Sequence, residues 1–570
     1  MIRRLLALIA IGVLALVLAA RCAVERFKDP APPGPIGDLF IRDGPRGPGS
    51  RDTKPISRFC GISTPTPILP ALEFTLQVLL TDDRKDPLFE SAVAIGDSPE
   101  VTMELPLLAP GAISWDVDVT VAVPKFEFLG SNESVLRLGR SGTSTPAQFR
   151  LRAPARFVPG SPYRALVTYS RGGRFLARSV HDLPVEGSTR SEQPSSPRSS
   201  AKLARGGKSP HLTVILSTLE ETDADTLVRV EIRSPHLRAA YEDVTIPVDM
   251  AEWLSRELSD SGALPTRGKP PPTAEVAGIN LRGIGRQLYR RFAPRLFREA
   301  FWRVLDLRGE KFETIQIITD DPSLPFELMC PVRPDGSGER DFLGVDFTVA
   351  RLHLERGPGI VSAPALRVPL NALTTIAPSY GGDRELPEQR RELEVLRRIR
   401  QFREIEPSLS GMVSLFQDPP NGIIHFAGHG VEEPAGESST YRIELETDAF
   451  NLLTFRGLAR GTDAQMFFFL NACSMGGAHR IASFVDGWAP AALEYGASGM
   501  IGPLWPVTDR AAADVSEMFY EELRDRHASG EPFQAAAALR RVRASYAESK
   551  DPSFLAYVFY GDPALTIHAP

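Results

Sequence analysis

Ile423-Ile424-His425-Phe426-Ala427-Gly428-His429-Gly430 and, further along, Met466-Phe467-Phe468-Phe469-Leu470-Asn471-Ala472-Cys473-Ser474-Met475-Gly476-Gly477 are the stretches that decide the fold. Each opens as a short run of β-branched and aromatic residues. Each closes in a glycine-bearing turn that carries one reactive side chain. Apolar runs of this kind suit strands buried on both faces, the situation of a parallel sheet covered by helices. In such sheets, sites form beyond the carboxyl ends of the strands. Neighbouring strands would therefore set His429 and Cys473 on one rim.

The surrounding sequence repeats the pattern. Leu373-Thr374-Thr375-Ile376-Ala377 and Met500-Ile501-Gly502-Pro503-Leu504 read as further strands, 385–402 as a charged helix, and about 509–526 and 532–547 as two more helices. Glycines on both sides of His429 allow a sharp turn and an exposed imidazole. A thiol with a pKa near 8.5 needs a base beside it to become a good nucleophile. His429 could supply that base to Cys473, and the amides of Gly430 and Cys473 are natural oxyanion donors. Histidines four apart converge on a helix but not on a strand, so His425 reads as a packed strand residue and no metal or cofactor is expected.

These motifs resemble the CHAT domain, the bacterial relative of caspases and separases. The resemblance extends to Leu324-Pro325-Phe326-Glu327-Leu328, to Gly496-Ala497-Ser498 with Leu504-Trp505-Pro506-Val507-Thr508-Asp509, and to Asp551-Pro552 and Tyr560-Gly561-Asp562-Pro563. It covers about 275–568 and says nothing of residues 1–210. It implies a caspase-haemoglobinase fold with a mainly parallel sheet and peptide-bond hydrolysis, with Cys473 as nucleophile, His429 as base and Ser474 a bystander. It also implies that Asn471, Trp505 and Asp509 bind substrate. The run 504–510 is similar to one in separases, which cut after arginine, and Asp509 would pair with a substrate Arg or Lys. The other reading is that Asp509 caps the helix starting near Arg510. A catalytically silent CHAT scaffold that binds proteins is the alternative to a peptidase. A protein or peptide substrate and an activating partner protein are the expected partners.

The rest of the 570-residue chain suggests several units, since one compact domain rarely grows so large. A net charge of −6 gives no reason to expect a nucleic-acid partner. The arginines from Arg282 to Arg298 interleave with Ile284, Leu288, Phe292 and Phe297 and read as the solvated side of amphipathic helices. Cys22, Cys60, Cys330 and Cys473 are too scattered for a zinc site or a disulfide framework. Residues 1–28 contain an uncharged apolar run at 5–20 flanked by Arg4 and Arg21. It is expected to be a membrane anchor that tethers the protein, with a cleaved, exporting signal peptide as the alternative.

Residues 29–59 form a Pro/Gly-rich linker. Over 60–187, Val117, Val119, Val121 and Val123 alternate with polar neighbours, and a hairpin turns at Arg171-Gly172-Gly173. The expectation there is an immunoglobulin-like β-sandwich. A Ser/Pro/basic linker at 188–210 precedes the CHAT region, 211–570. Were the specificity basic, that linker would be a place for self-cleavage.

Overall fold

The computed structural model describes residues 53–569 apart from 84, 87–99, 107, 109–111, 159–160, 187–207, 223–224, 248–249, 262–272, 322–323, 355–358, 363, 436–437, 459–463 and 475–482. The apolar run at 5–20 lies outside the described residues. Among those described, no helix is long and apolar enough to cross a membrane. The expectation of a membrane anchor and a membrane localisation is corrected on that finding. The first linker also ends earlier than expected, because pairing with two neighbouring strands draws residues from Thr53 onward into a sheet.

Nine strands come first: β1 (Thr53–Ser63), β2 (Glu73–Thr81), β3 (Glu100–Pro106), β4 (Ser114–Ala122), β5 (Glu127–Phe128), β6 (Glu133–Gly139), β7 (Ala147–Arg152), β8 (Arg164–Arg171) and β9 (Arg174–Asp182). They form two sheets, ordered β3-β1-β2-β7-β5 and β9-β8-β4-β6. Alternation does the sorting: Val117, Val119 and Val121 are fully buried, while Asp116, between the buried Trp115 and Val117, faces out. Side chains from both sheets merge into one core, where the Cys60 thiol lies 2.5 Å from the Tyr169 hydroxyl.

The second region is built on a mixed, partly parallel sheet of thirteen strands. Its strands are β10 (Leu212–Glu221), β11 (Asp225–Arg233), β12 (Ala240–Pro247), β13 (Thr314–Thr319), β14 (Thr348–His353), β17 (Ala372–Ile376), β18 (Phe402–Glu404), β19 (Gly422–Ala435), β20 (Ser438–Glu444), β21 (Ala449–Asn451), β22 (Met466–Ser474), β23 (Ala497–Pro503) and β25 (Tyr557–Gly561). The order along the sheet is β12-β11-β10-β13-β14-β25-β23-β22-β19-β17-β18, and β20 and β21 fold off β19 as an antiparallel extension. The run β23-β22-β19-β17-β18 is parallel, whereas β11, β12 and the pairing of β25 with β23 are antiparallel. The expected mainly parallel sheet is therefore mixed, because β10, β11 and β12 extend one end as an antiparallel meander, β20 and β21 fold back off β19, and β25 runs against β23.

Helices Ala274–Phe292, Arg295–Arg308, Gln389–Leu396, Asp509–Ala528 and Ala535–Ala544 contribute to the one large apolar core that also takes in the sheet. The first two carry the arginine-rich segment, where Arg282 pairs with Asp341 and Arg286 with Glu339. The charged helix expected over 385–402 is confined to Gln389–Leu396.

The two regions interleave. β15 (Gly359–Ser362) leaves the second region and pairs antiparallel with β9, completing a five-stranded sheet of the first. β16 (Arg367–Pro369), β24 (Phe533–Gln534) and β26 (Thr566–His568) then make a separate small sheet. Gly173, at φ +82°, passes so close to Ser234 that a Cβ there would lie 2.7 Å from its carbonyl carbon. Arg174 reaches Asp562 at 2.6 Å, and Arg233 reaches Glu133 at 2.6 Å.

Candidate active site

Register alone sets the two reactive positions side by side. β19 and β22 run parallel, and their paired residues include His425 with Phe469, Ala427 with Asn471, His429 with Cys473 and Gly430 with Ser474. Neighbouring strands lie about 4.8 Å apart, so the backbones of His429 and Cys473 are adjacent. Gly430 also pairs with Ile443 of β20. Beyond Ser474, residues 475–482 lie outside the described residues.

His429 departs from the exposed imidazole expected of it. It is only 2% exposed, because Tyr380 lies across it with ring centroids 4.3 Å apart. Its backbone N–H donates to the Tyr380 hydroxyl at 2.8 Å. Gly428 lets the strand pass beneath Tyr380, since a Cβ there would meet both the Tyr380 hydroxyl and the Phe426 ring.

Nε2 of His429 lies 2.7 Å from the carbonyl oxygen of Arg384. A carbonyl only accepts, so Nε2 carries the proton and Nδ1 keeps the lone pair. Among the described residues Nδ1 is buried without a hydrogen-bond partner. Burial, joined by the Arg384 charge, lowers the His429 pKa against the opposing pull of the Arg384 carbonyl and Asp509. The ring is thus held neutral, as a base must be before it takes a proton.

Asp509 belongs to this neighbourhood. It is the first residue of helix Asp509–Ala528, but the cap is Thr508, whose hydroxyl accepts from the Ala511 N–H at 3.2 Å. Capping therefore does not occupy Asp509. One of its oxygens accepts from the Glu388 N–H at 2.8 Å. Burial and the charges of Glu388 and Glu392 raise its pKa, opposed by the Glu388 N–H and by His429.

Asn471 and Trp505 are turned inward, not toward a substrate. Asn471 is 3% exposed, donates to Glu392 and to the Ala512 carbonyl, and accepts from the Tyr557 hydroxyl. Its amide is thus committed to holding β22 against three neighbours. Trp505 is 4% exposed within the large core. Both residue types suit a pocket wall or a core equally.

His425 packs as expected, stacked on Phe469 with Nδ1 2.9 Å from the Tyr520 hydroxyl. Its Nε2 is 2.9 Å from Glu392 Oε1 but is not aligned for a hydrogen bond. The residues that sequence reasoning missed are Tyr380, Arg384 and Glu392. Arg384 acts through a backbone carbonyl that any residue type would carry, so no side-chain signal marked it. Among the described residues no cluster of His, Cys, Asp and Glu could hold a metal ion.

A mixed, partly parallel sheet that carries a histidine and a cysteine in register on adjacent strands defines an α/β protein. Residues 282–563 match the CHAT domain family, and the chain carries a CHAT domain. No curated protein sequence matches the chain. Among solved structures, the arginine-specific cysteine proteinase gingipain R is similar at 12% identity and a TM-score of 0.31, over 56% of this chain and 74% of that one. The separase–securin complex of Saccharomyces cerevisiae is similar at 15% identity and a TM-score of 0.29, over 56% of this chain and 23% of that one. A complex of pro- and mature domains from Porphyromonas gingivalis gives 11% identity and a TM-score of 0.29, over 56% and 78% of the two chains.

Proposed function

We propose that the protein is a cysteine endopeptidase in which Cys473 attacks the scissile carbonyl and His429 is the general base. The observation that carries this reading is the Nε2 bond to the Arg384 carbonyl, which leaves the Nδ1 lone pair on the strand position paired with Cys473. Nδ1 takes the thiol proton, the sulfur bonds to the carbonyl carbon, and the proton passes to the departing amine. Water then hydrolyses the thioester by the reverse proton route. The amides of Gly430 and Cys473 receive the oxyanion. Asp509 selects Arg or Lys before the cut, because its carboxylate shares the His429 neighbourhood and does not cap its helix. The β module at 60–187 is read as an immunoglobulin-like sandwich that carries protein contacts.

The test is cleavage by the full chain of peptides with Arg, Lys, Asp or Leu before the scissile bond. Turnover lost in Cys473→Ala supports the peptidase, and turnover that survives it removes the role of Cys473. A preference for Arg that disappears in Asp509→Ala supports the selector, and an unchanged preference removes it. The near-complete burial of His429 favours a second reading, a catalytically silent scaffold that binds proteins. Absence of cleavage together with no selective labelling of Cys473 by a thiol probe supports that scaffold.

A further inference from the structure

We infer that Tyr380, Arg384 and Glu444 form a clamp that fixes the ring position and tautomer of His429, with Glu444 on β20 as its anchor. The inference rests on the reading of His429 as the base.

Tyr380 and Arg384, which both contact His429, are tied to Glu444. The Tyr380 hydroxyl accepts from the His429 N–H at 2.8 Å and donates to the Glu444 carbonyl oxygen at 3.0 Å. The Arg384 carbonyl accepts from His429 Nε2 at 2.7 Å, while its guanidinium forms an ion pair with the Glu444 carboxylate. That guanidinium also sits 5.2 Å over the Tyr380 ring. Glu444 has a second cation at 3.7 Å, Arg442 on its own strand. Its side chain is 17% exposed against 52% for that of Arg384, so the carboxylate is the more sheltered partner.

The logic is electrostatic as well as geometric. The charged groups facing His429 are Arg384 and Asp509. Glu444 neutralises Arg384 and thereby limits how far a nearby positive charge suppresses protonation of His429. Tyr380 is a positioning residue, since it contacts the ring and backbone of His429 but is given no proton to move. Glu444 acts at one remove, from a hairpin strand that pairs with β19 one residue past His429. A change in the β20–β21 hairpin would reach the base through these contacts.

The experiment uses the full chain with labelled histidine, comparing wild type with Tyr380→Phe, Glu444→Gln and Glu444→Asp. Resonances are assigned by loss of signal in His429→Gln. The readouts are the His429 titration by NMR and, where peptide is cut, kcat, KM and the acidic limb of the rate profile. Glu444→Gln should lower the His429 pKa, because Arg384 loses its counter-charge, and Glu444→Asp should restore it in part. Tyr380→Phe keeps the ring but removes both hydroxyl bonds, and should reduce kcat about tenfold with KM little changed. A titration that stays at the wild-type value in Glu444→Gln overturns the clamp, whatever the rates do. A shifted titration in a protein that cuts no peptide and whose Cys473 takes no thiol probe supports the clamp and removes the peptidase reading instead.

Discussion

Replacing Glu327 with glutamine tests whether the Pro325-Phe326-Glu327-Leu328 element is an electrostatic keystone. Glu327 is 1% exposed and takes Arg351 bidentately, Nε to Oε1 at 2.8 Å and Nη2 to Oε2 at 2.5 Å. Arg543 is equally buried beside it, with Nε donating to the Tyr557 carbonyl at 2.8 Å and its pKa lowered by burial to about 10. One carboxylate therefore answers for two buried guanidiniums. Glutamine preserves volume, so no cavity cost enters, but it cancels the negative charge and presents an NH2 to N–H donors. Gly344 would place a Cβ only 3.0 Å from the Glu327 Cβ, which shows how closely the side chain is confined. Breaking such a buried pair costs about 3–5 kcal/mol.

The assay is denaturant unfolding of the full chain across pH, read as a midpoint shift at constant slope. Burial alone would push the Glu327 carboxyl up, but Arg351 and Arg543 outweigh it and hold the carboxyl below the ordinary range. Stability from Glu327 is thus complete above its unfolded pKa of about 4.3 and is lost as pH falls through the lower folded value. The gap between wild type and Glu327→Gln should be full at pH 7 and should close in acid. A gap under about 1 kcal/mol at pH 7, the size of an ordinary substitution effect, would refute the reasoning. So would a gap that persists unchanged in acid.

Two further substitutions follow from close contacts. Gly422 has φ +145° and a Cβ there would collide with the Ala372 carbonyl oxygen, so Gly422→Ala should force β17 from β19 and cost about 1–3 kcal/mol, seen as a lower thermal midpoint. Arg174→Gln leaves Asp562, itself 1% exposed, without that cation, and should raise amide exchange in β9 and β25 while exchange at β20 is unchanged.

What the sequence made legible was what depends on local chemistry. The runs around Ile423-Ile424 and Phe467-Phe468-Phe469 could only be buried strands, and their parallel register then followed from two turns of matching position. The valine alternation at 117–123 declared a two-sheet core just as directly. Long-range partners were not legible. Nothing in Tyr380 or Glu444 advertises that they meet beside His429 in the middle of β19, because that meeting depends on where the chain returns along the sheet. β15 was equally unreadable, since the four residues at 359–362 pair with β9, a strand far earlier in the chain.

That exchange bears on how the catalytic reading is to be pursued. The Tyr560-Gly561-Asp562-Pro563 signature sits where β25 meets β23, with Gly561 opposite Gly499, and β23 is the neighbour of the strand that carries Cys473. Arg174, the first residue of β9, supplies the cation for Asp562. A fragment beginning at residue 211 would keep the cysteine and the histidine. It would lose the strand that pairs with β15 and leave a buried carboxylate without that counter-charge. An inactive fragment would then report the loss of this interface and not the absence of catalysis. The first region is accordingly part of the framework around the site, tied to the end of β25 by the Arg174–Asp562 contact.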